Sequence, residues 1–279
     1  MAQVRPTTMA QPSVTDRLTL IAISALAYIA AISLHELLGH AAACLALGNR
    51  LTEVNAFYVN CDYPRMSDAG IRLFFVAGPV VSLIIGVVSL LVLRRLPPQA
   101  FATKYFVWLL GSIALMAATG YLLFSGITGL GDFGTSRYGV LYQVTPAGLW
   151  RIVITIAGIA SYILIAYISA RAMDRIIGGG GVERIRRARH LALTSYLTGG
   201  AVSVAIGLLN PLGLRIVVES AVASSLGASS GLLWMMQFLY WKTSSSAPVL
   251  TFGRSWRWIA TGGIATLVYA LVFGPSLRP

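Results

Sequence analysis

Charge is what this sequence has least of. Asp, Glu, Lys and Arg make up 11% of its 279 residues, against about 25% in an ordinary soluble domain, while 57% of the residues are hydrophobic. That deficit excludes a water-soluble globule. Carboxylates are the scarcer sign, nine Asp and Glu against 21 Lys and Arg, for a formal net charge of +12. On a soluble protein such an excess points to nucleic acid. Among long apolar runs it reflects anionic lipid and membrane topology instead, and no nucleic-acid partner is expected. Two cysteines, Cys44 and Cys61, are too few for a disulfide framework or a zinc ribbon. They leave the redox compartment open, and Cys44 reads as a buried structural thiol. The period-2 alternation of a membrane barrel is missing. No small-residue cleavage site follows the polar first 17 residues, so the first apolar run reads as a retained span and not as a signal peptide.

What is present is long apolar helix. Runs of about 20 residues, the length that crosses a hydrocarbon core about 30 Å thick, fall at Leu18 to Leu47, Ala69 to Leu93, Tyr105 to Ile127, Leu149 to Ala170, Leu191 to Leu209, Leu214 to Tyr240 and Trp258 to Phe273. The expected fold class is all-α, a polytopic integral membrane helical bundle of about seven transmembrane helices. It forms a single unit over residues 18–279 behind a polar tail, 1–17. Thr15 and Asp16 stand where an N-cap belongs. The fourth connection, Arg171 to His190, carries Gly178-Gly179-Gly180-Gly181 and then Arg184, Arg186, Arg187 and Arg189. Lys and Arg are about twice as frequent on its side of the bundle as on the other, which predicts a cytoplasmic N-terminus. The expectation is a multi-pass protein of a bacterial-type plasma membrane. The later spans are rich in small residues, among them Gly199, Gly200, Gly207, Ser224, Ser225, Gly227, Ser229, Ser230 and Gly231, which let helices approach closely in lipid.

Against this background three ionisable groups stand together in the first span, in Ser33-Leu34-His35-Glu36-Leu37-Leu38-Gly39-His40-Ala41-Ala42-Ala43. Each costs several kcal/mol to bury bare. A divalent cation resolves that cost, because neutral imidazoles are natural zinc ligands and an adjacent carboxylate can act as base towards water. A polar cluster that ties helices together is the plainer alternative. The usual zincin spacing places the two histidines four residues apart on one helical face, and here they are five apart. Five residues at 3.6 per turn leave the side chains about 140° apart, which no regular α-helix would aim at one ion. A single π-type turn absorbs the extra residue, and Gly39 is a plausible place for it.

The hexapeptide from His35 to His40 also marks the zinc site of the dipeptidyl peptidase III family, soluble enzymes whose second glutamate-rich motif this chain lacks. In context the chain resembles the site-2 protease family of intramembrane metalloproteases. Its members read His-Glu-x-Gly-His followed by small residues and a glycine, as in Gly39-His40-Ala41-Ala42-Ala43 to Gly48 here. The next span carries Ala77-Gly78-Pro79-Val80-Val81-Ser82, similar to the family's Ala-Gly-Pro-x-x-Asn with Ser82 in place of the asparagine. The resemblance implies a third ligand, an aspartate beside glycine at the end of the third core helix, and Gly129-Leu130-Gly131-Asp132-Phe133-Gly134 offers Asp132. It covers about Ser33 to Gly134, with a metal-site core over about 18–134. Departures are the inserted residue, Ser82 for Asn, and Gly-Asp-Phe for Leu-Asp-Gly. The family's zinc also lies nearer the cytoplasmic side, whereas the charge count puts this site nearer the outside.

The resemblance therefore implies a zinc metalloprotease with Zn2+ held by His35, His40 and Asp132 and Glu36 as general base, acting on a membrane protein or peptide within the lipid bilayer. An Asx-type turn is the plainer reading of Asp132. Two other classes stay open: a catalytically silent relative that binds a partner or lipid, and a proton- or cation-coupled transporter using His35, Glu36, Asp132 and Glu219. Glu219 follows Arg215 by four residues, the spacing of an ordinary helical ion pair, and is otherwise a rival ligand. Asn210-Pro211 marks a turn or a broken helix beside a cavity. Gly227-Ala228-Ser229-Ser230-Gly231 loosely resembles the rhomboid serine-protease motif, but no histidine base follows His190. Oligomeric state is left open.

Overall fold

The computed structural model describes residues 14–136, 139–241, 244–245 and 247–279, so most of the polar tail lies outside the described residues. The first helical segment runs unbroken in three parts. Helix α1 (Arg17–Ser33) passes into a π-helical stretch at Leu34–Ala41 and returns to α geometry in α2 (Ala42–Ala46). Asp16 caps α1, its carboxylate accepting from the Thr19 backbone N–H at 2.9 Å, and this donor together with Arg254 holds the partly buried carboxyl below its ordinary value. A short antiparallel hairpin follows, β1 (Leu51–Val54) and β2 (Val59–Cys61). Then come α3 (Asp68–Leu93), α4 (Phe101–Thr128) and α5 (Ala147–Ile177), the minimal pairing of β3 (Gly179–Gly180) with β4 (Ser244–Ser245), α6 (Gly181–Gly207), the single turn α7 (Leu214–Val217) and finally α8 (Trp256–Val272).

Four of these segments are long and apolar enough to cross a membrane: Arg17–Ala46, Asp68–Leu93, Phe101–Thr128 and Ala147–Ile177. Burial divides them into two pairs. The first segment and α4 each have 67% of their most apolar stretch buried, against 33% for α3 and 28% for α5. Leu20, Ile23 and Tyr28 of α1 meet Tyr105, Trp108, Ile113 and Met116 of α4 in the main core. Apolar side chains of α3 and α5, such as Ile84, Val88, Ile156 and Leu164, face outwards, as expected of surfaces that meet hydrocarbon. The polar atoms of the core aromatics Trp108 and Tyr105 are paired. The indole of Trp108 donates to the Ser169 carbonyl at 2.9 Å, and Tyr105 donates to the Leu191 carbonyl at 2.9 Å.

Several expectations change in the structure. The fold is helical but not purely so, because β1 and β2 form a hairpin to which Leu277, near the C-terminus, adds a bridge at Val54. The basic stretch 171–190 is not a loop: α5 continues to Ile177 and α6 begins at Gly181, leaving only the glycines between. Arginine is a good helix former, and Arg184 is buried against Asp174 and the Leu239 carbonyl. The run from Leu214 to Tyr240 is not one α-helix. After α7 it becomes π-helical over Val218–Gly227 and then 3₁₀ over Ser230–Leu233 and Met235–Trp241. Serines here bond their own backbone, Ser220 to the Ile216 carbonyl at 2.6 Å and Ser229 to the Ser225 carbonyl at 2.6 Å, which bends and loosens a helix. Cys44 is not a free thiol, since it forms a disulfide with Cys61. The bridge joins α2 to β2 across a sequence separation of 17.

Candidate metal centre

The π-helical stretch Leu34–Ala41 coincides with the His35-to-His40 hexapeptide. Widening the turn brings the two imidazoles to the same side, with Nε2 of His35 and Nε2 of His40 3.2 Å apart. Gly39 serves this geometry by being small. A Cβ there would lie 2.5 Å from Cα of Gly78, so the π turn packs directly on the backbone of α3. Gly78 is small for a related reason, because a Cβ on it would lie 2.4 Å from His40 Nε2 and 2.6 Å from His35 Nε2. The Ala77-Gly78-Pro79 motif is thus the floor of the site.

Asp132 arrives from the end of α4. Gly129 closes the helix with φ +77° and Gly131 follows at φ +75°, left-handed values that side chains rarely adopt. The Phe133 N–H donates to Ser125 Oγ at 3.2 Å and the Val140 N–H to the Asp132 carbonyl at 2.8 Å, fastening the loop on both sides of the aspartate. Its carboxylate then meets both histidines, Oδ2 at 3.3 Å from His35 Nε2 and Oδ1 at 3.5 Å from His40 Nε2. The side chain points into the cluster and not into an Asx turn.

The outer nitrogens of the imidazoles are also fixed. His40 Nδ1 lies 2.9 Å from the Phe74 carbonyl, which can only accept, so Nδ1 carries the proton and Nε2 of the neutral ring presents a lone pair. His35 Nδ1 lies 2.9 Å from the buried Ser82 Oγ. Such outer partners orient ligand histidines in metal sites. The ring of His35 stacks on Tyr121 at 4.9 Å, and His40 lies 5.1 Å from the Phe74 ring.

With both rings neutral and protonated at Nδ1, two lone pairs and a carboxylate converge out of water, and they repel one another without a positive centre between them. The donor set fits a metal. Tetrahedral zinc with ligand bonds of about 2.0–2.1 Å puts neighbouring donor atoms about 3.3–3.4 Å apart; here the two Nε2 atoms are 3.2 Å apart, and the Asp132 carboxylate approaches one at 3.3 Å through Oδ2 and the other at 3.5 Å through Oδ1. Possible ligand atoms of His35, Glu36 and His40 all lie within 4.8 Å of one another. Glu36 Oε2 and Asp132 Oδ2 are buried with no hydrogen-bond partner, as oxygens reserved for an ion or a water would be.

Other candidates sit elsewhere. Glu219 accepts from Arg215 Nε at 2.8 Å in an exposed i,i+4 pair. Asn210 turns its own chain, accepting from the Leu212 N–H at 2.8 Å, and donates to the Tyr58 hydroxyl at 3.2 Å. Ser229 bonds Tyr28 at 2.6 Å and Ser230 bonds Tyr162 at 3.1 Å, so the serine motif ties helices together. Residues that sequence reasoning passed over are Tyr121, the Phe74 carbonyl and the hairpin over the site. Neither a stacking ring nor a backbone acceptor carries a sequence signal, and strands of four and three residues are too short for a period. Compared with protein-family models, curated proteins and solved structures, the chain matches none.

Proposed function

We propose that the protein is an intramembrane zinc metalloprotease similar to the site-2 protease family, hydrolysing peptide bonds in membrane-embedded segments. The observation that carries the reading is the convergence of His35 Nε2, His40 Nε2 and Asp132 at tetrahedral-edge distances beside the unpartnered Glu36 carboxylate. Zinc held by His35, His40 and Asp132 would supply Lewis acidity to the peptide carbonyl and to water. Glu36 takes a proton from the attacking water as its oxygen bonds the carbonyl carbon, and returns it to the amine nitrogen as the C–N bond breaks. Ser82 and the Phe74 carbonyl hold the imidazoles in place. Tyr121, stacked on His35, also lines an apolar cavity of about 380 Å³ between α4, α5 and the Val218–Gly227 segment. An extended apolar stretch of substrate lying there would pass the metal centre.

In this reading the protein is a multi-pass protein of a bacterial-type plasma membrane, with its N-terminus in the cytoplasm and the metal centre nearer the outer face. Two independent features support that orientation: the excess of Lys and Arg at the opposite end, and the Cys44–Cys61 disulfide beside the site, since disulfides persist in oxidising compartments.

The test is metal content of detergent-purified protein by plasma mass spectrometry, followed by cleavage of a membrane-embedded peptide. The expected result is one zinc in the wild type and in Glu36→Gln, and none in His35→Ala, His40→Ala or Asp132→Ala. Hydrolysis falls about 10²–10⁴-fold in Glu36→Gln. Wild type without metal overturns the reading, and zinc without hydrolysis makes the chain a silent relative.

A further inference from the structure

At the end of the bundle away from the metal centre, the C-terminus of α3, the start of α4 and the last turns of α5 enclose a cavity of about 660 Å³. Its rim carries Arg94, Lys104, Arg171 and Arg175, and no carboxylate lines it. The nearest acid in sequence, Asp174, is turned away and buried against Arg184. The other acids that pair with a base do so elsewhere: Asp16 with Arg254, Glu53 with Arg278, Asp62 with Arg65, Glu183 with Arg186 and Glu219 with Arg215. Two of the rim cations have other contacts. The Arg171 guanidinium lies 5.8 Å over the Tyr167 ring, and Lys104 Nζ is 3.5 Å from the Pro98 carbonyl. Four like charges around one cavity repel one another, and an anion removes that cost.

The remainder of the lining is apolar. Leu90, Leu93, Ile168 and Ile176 form its inner wall, and the wall continues along the bundle into the outward-facing Val87, Val88, Ile163 and Leu164. A charged mouth above a hydrocarbon strip matches a molecule with an anionic head and acyl tails. Basic pockets between spans at the cytoplasmic face suit such headgroups, and the long Arg and Lys stems reach the interface while their methylenes stay in apolar surroundings. We propose that this cavity binds one anionic phospholipid, its phosphate among Arg94, Lys104, Arg171 and Arg175 and its chains along α3 and α5. The proposal rests on the membrane-spanning reading of these helices and is independent of proteolysis.

The test uses full-length protein in detergent with added phosphatidylglycerol, phosphatidylcholine or soluble glycerol phosphate, read by native mass spectrometry and thermal melting. The expected result is about one phosphatidylglycerol retained per chain with a raised melting temperature, no retention of phosphatidylcholine and no effect of glycerol phosphate. The combined variant Arg94→Gln, Lys104→Gln, Arg171→Gln and Arg175→Gln is expected to lose retention at least tenfold. A control that removes charge at the same end but outside the cavity, Arg189→Gln with Arg257→Gln, is expected to retain the lipid. Equal retention by the combined variant, or parallel loss in the control, overturns the proposal. A melting shift with glycerol phosphate equal to that with the lipid also overturns it, in favour of a simple phosphate site. Alkaline extraction of membranes separates the premise: protein that washes off fails the spanning reading, whereas protein that stays but retains no phosphatidylglycerol fails only this proposal.

Discussion

At one end of the bundle His35, Glu36, His40 and Asp132 crowd around a single point with two carboxylate oxygens unpartnered. At the other end Asp174 and Arg184 are buried as a matched pair, and Arg94, Lys104, Arg171 and Arg175 rim a cavity. Both arrangements place charge where water is scarce. The pair balances its own charge with opposite signs and a further bond to the Leu239 carbonyl. In the cluster, with both imidazoles neutral, the Nε2 atoms and the carboxylates are all electron-pair donors, and no cationic side chain stands among them. A self-satisfied buried pair is a structural element, whereas an unbalanced donor set marks a place for something that the chain does not encode.

The comparison breaks first at Gly78. Alanine there would drive a methyl group against both Nε2 atoms, and zinc occupancy is expected to fall at least about tenfold, measured as metal per chain beside a melting curve. Asp174→Ala strands the buried Arg184 charge and should cost about 3–5 kcal/mol of stability, read from thermal unfolding in detergent, with metal content unchanged in the protein that remains folded. Ser82→Ala removes the hydrogen-bond partner of His35 Nδ1 and should weaken zinc affinity about 10–100-fold in competition with a chelator, with the fold intact. The smallest effect belongs to Glu219→Gln, whose exposed pair with Arg215 makes no contact with the cluster. Zinc content and melting temperature should both stay at wild-type values, and a loss of zinc would make Glu219 a ligand.

Much of the candidate site is legible in sequence because the membrane makes charge conspicuous. His35, Glu36 and His40 stand out in an otherwise apolar run, and the 140° mismatch of a five-residue spacing requires a widened turn, which the structure has at Leu34–Ala41. Asp132 is legible only through a motif, since one aspartate among glycines equally describes a turn. The break after Leu214 is hidden because composition reports apolarity and not helix type, and serines that bond their own carbonyls look like small packing residues. The hairpin is hidden by its length.

By itself the sequence determines that long apolar helices form and that one of them carries an ionisable cluster, because both follow from the cost of exposing or burying particular groups. Tertiary structure alone decides that Gly78 makes the floor of the cluster, that Ser82 and the Phe74 carbonyl fix the rings, that Cys44 reaches Cys61, and that Asp174 pairs with Arg184 while, among the described residues, no carboxylate lines the cavity beside Arg171 and Arg175. Each of these depends on distances between segments far apart in the chain, set by how closely helices pack. Local propensity and composition carry no record of such distances.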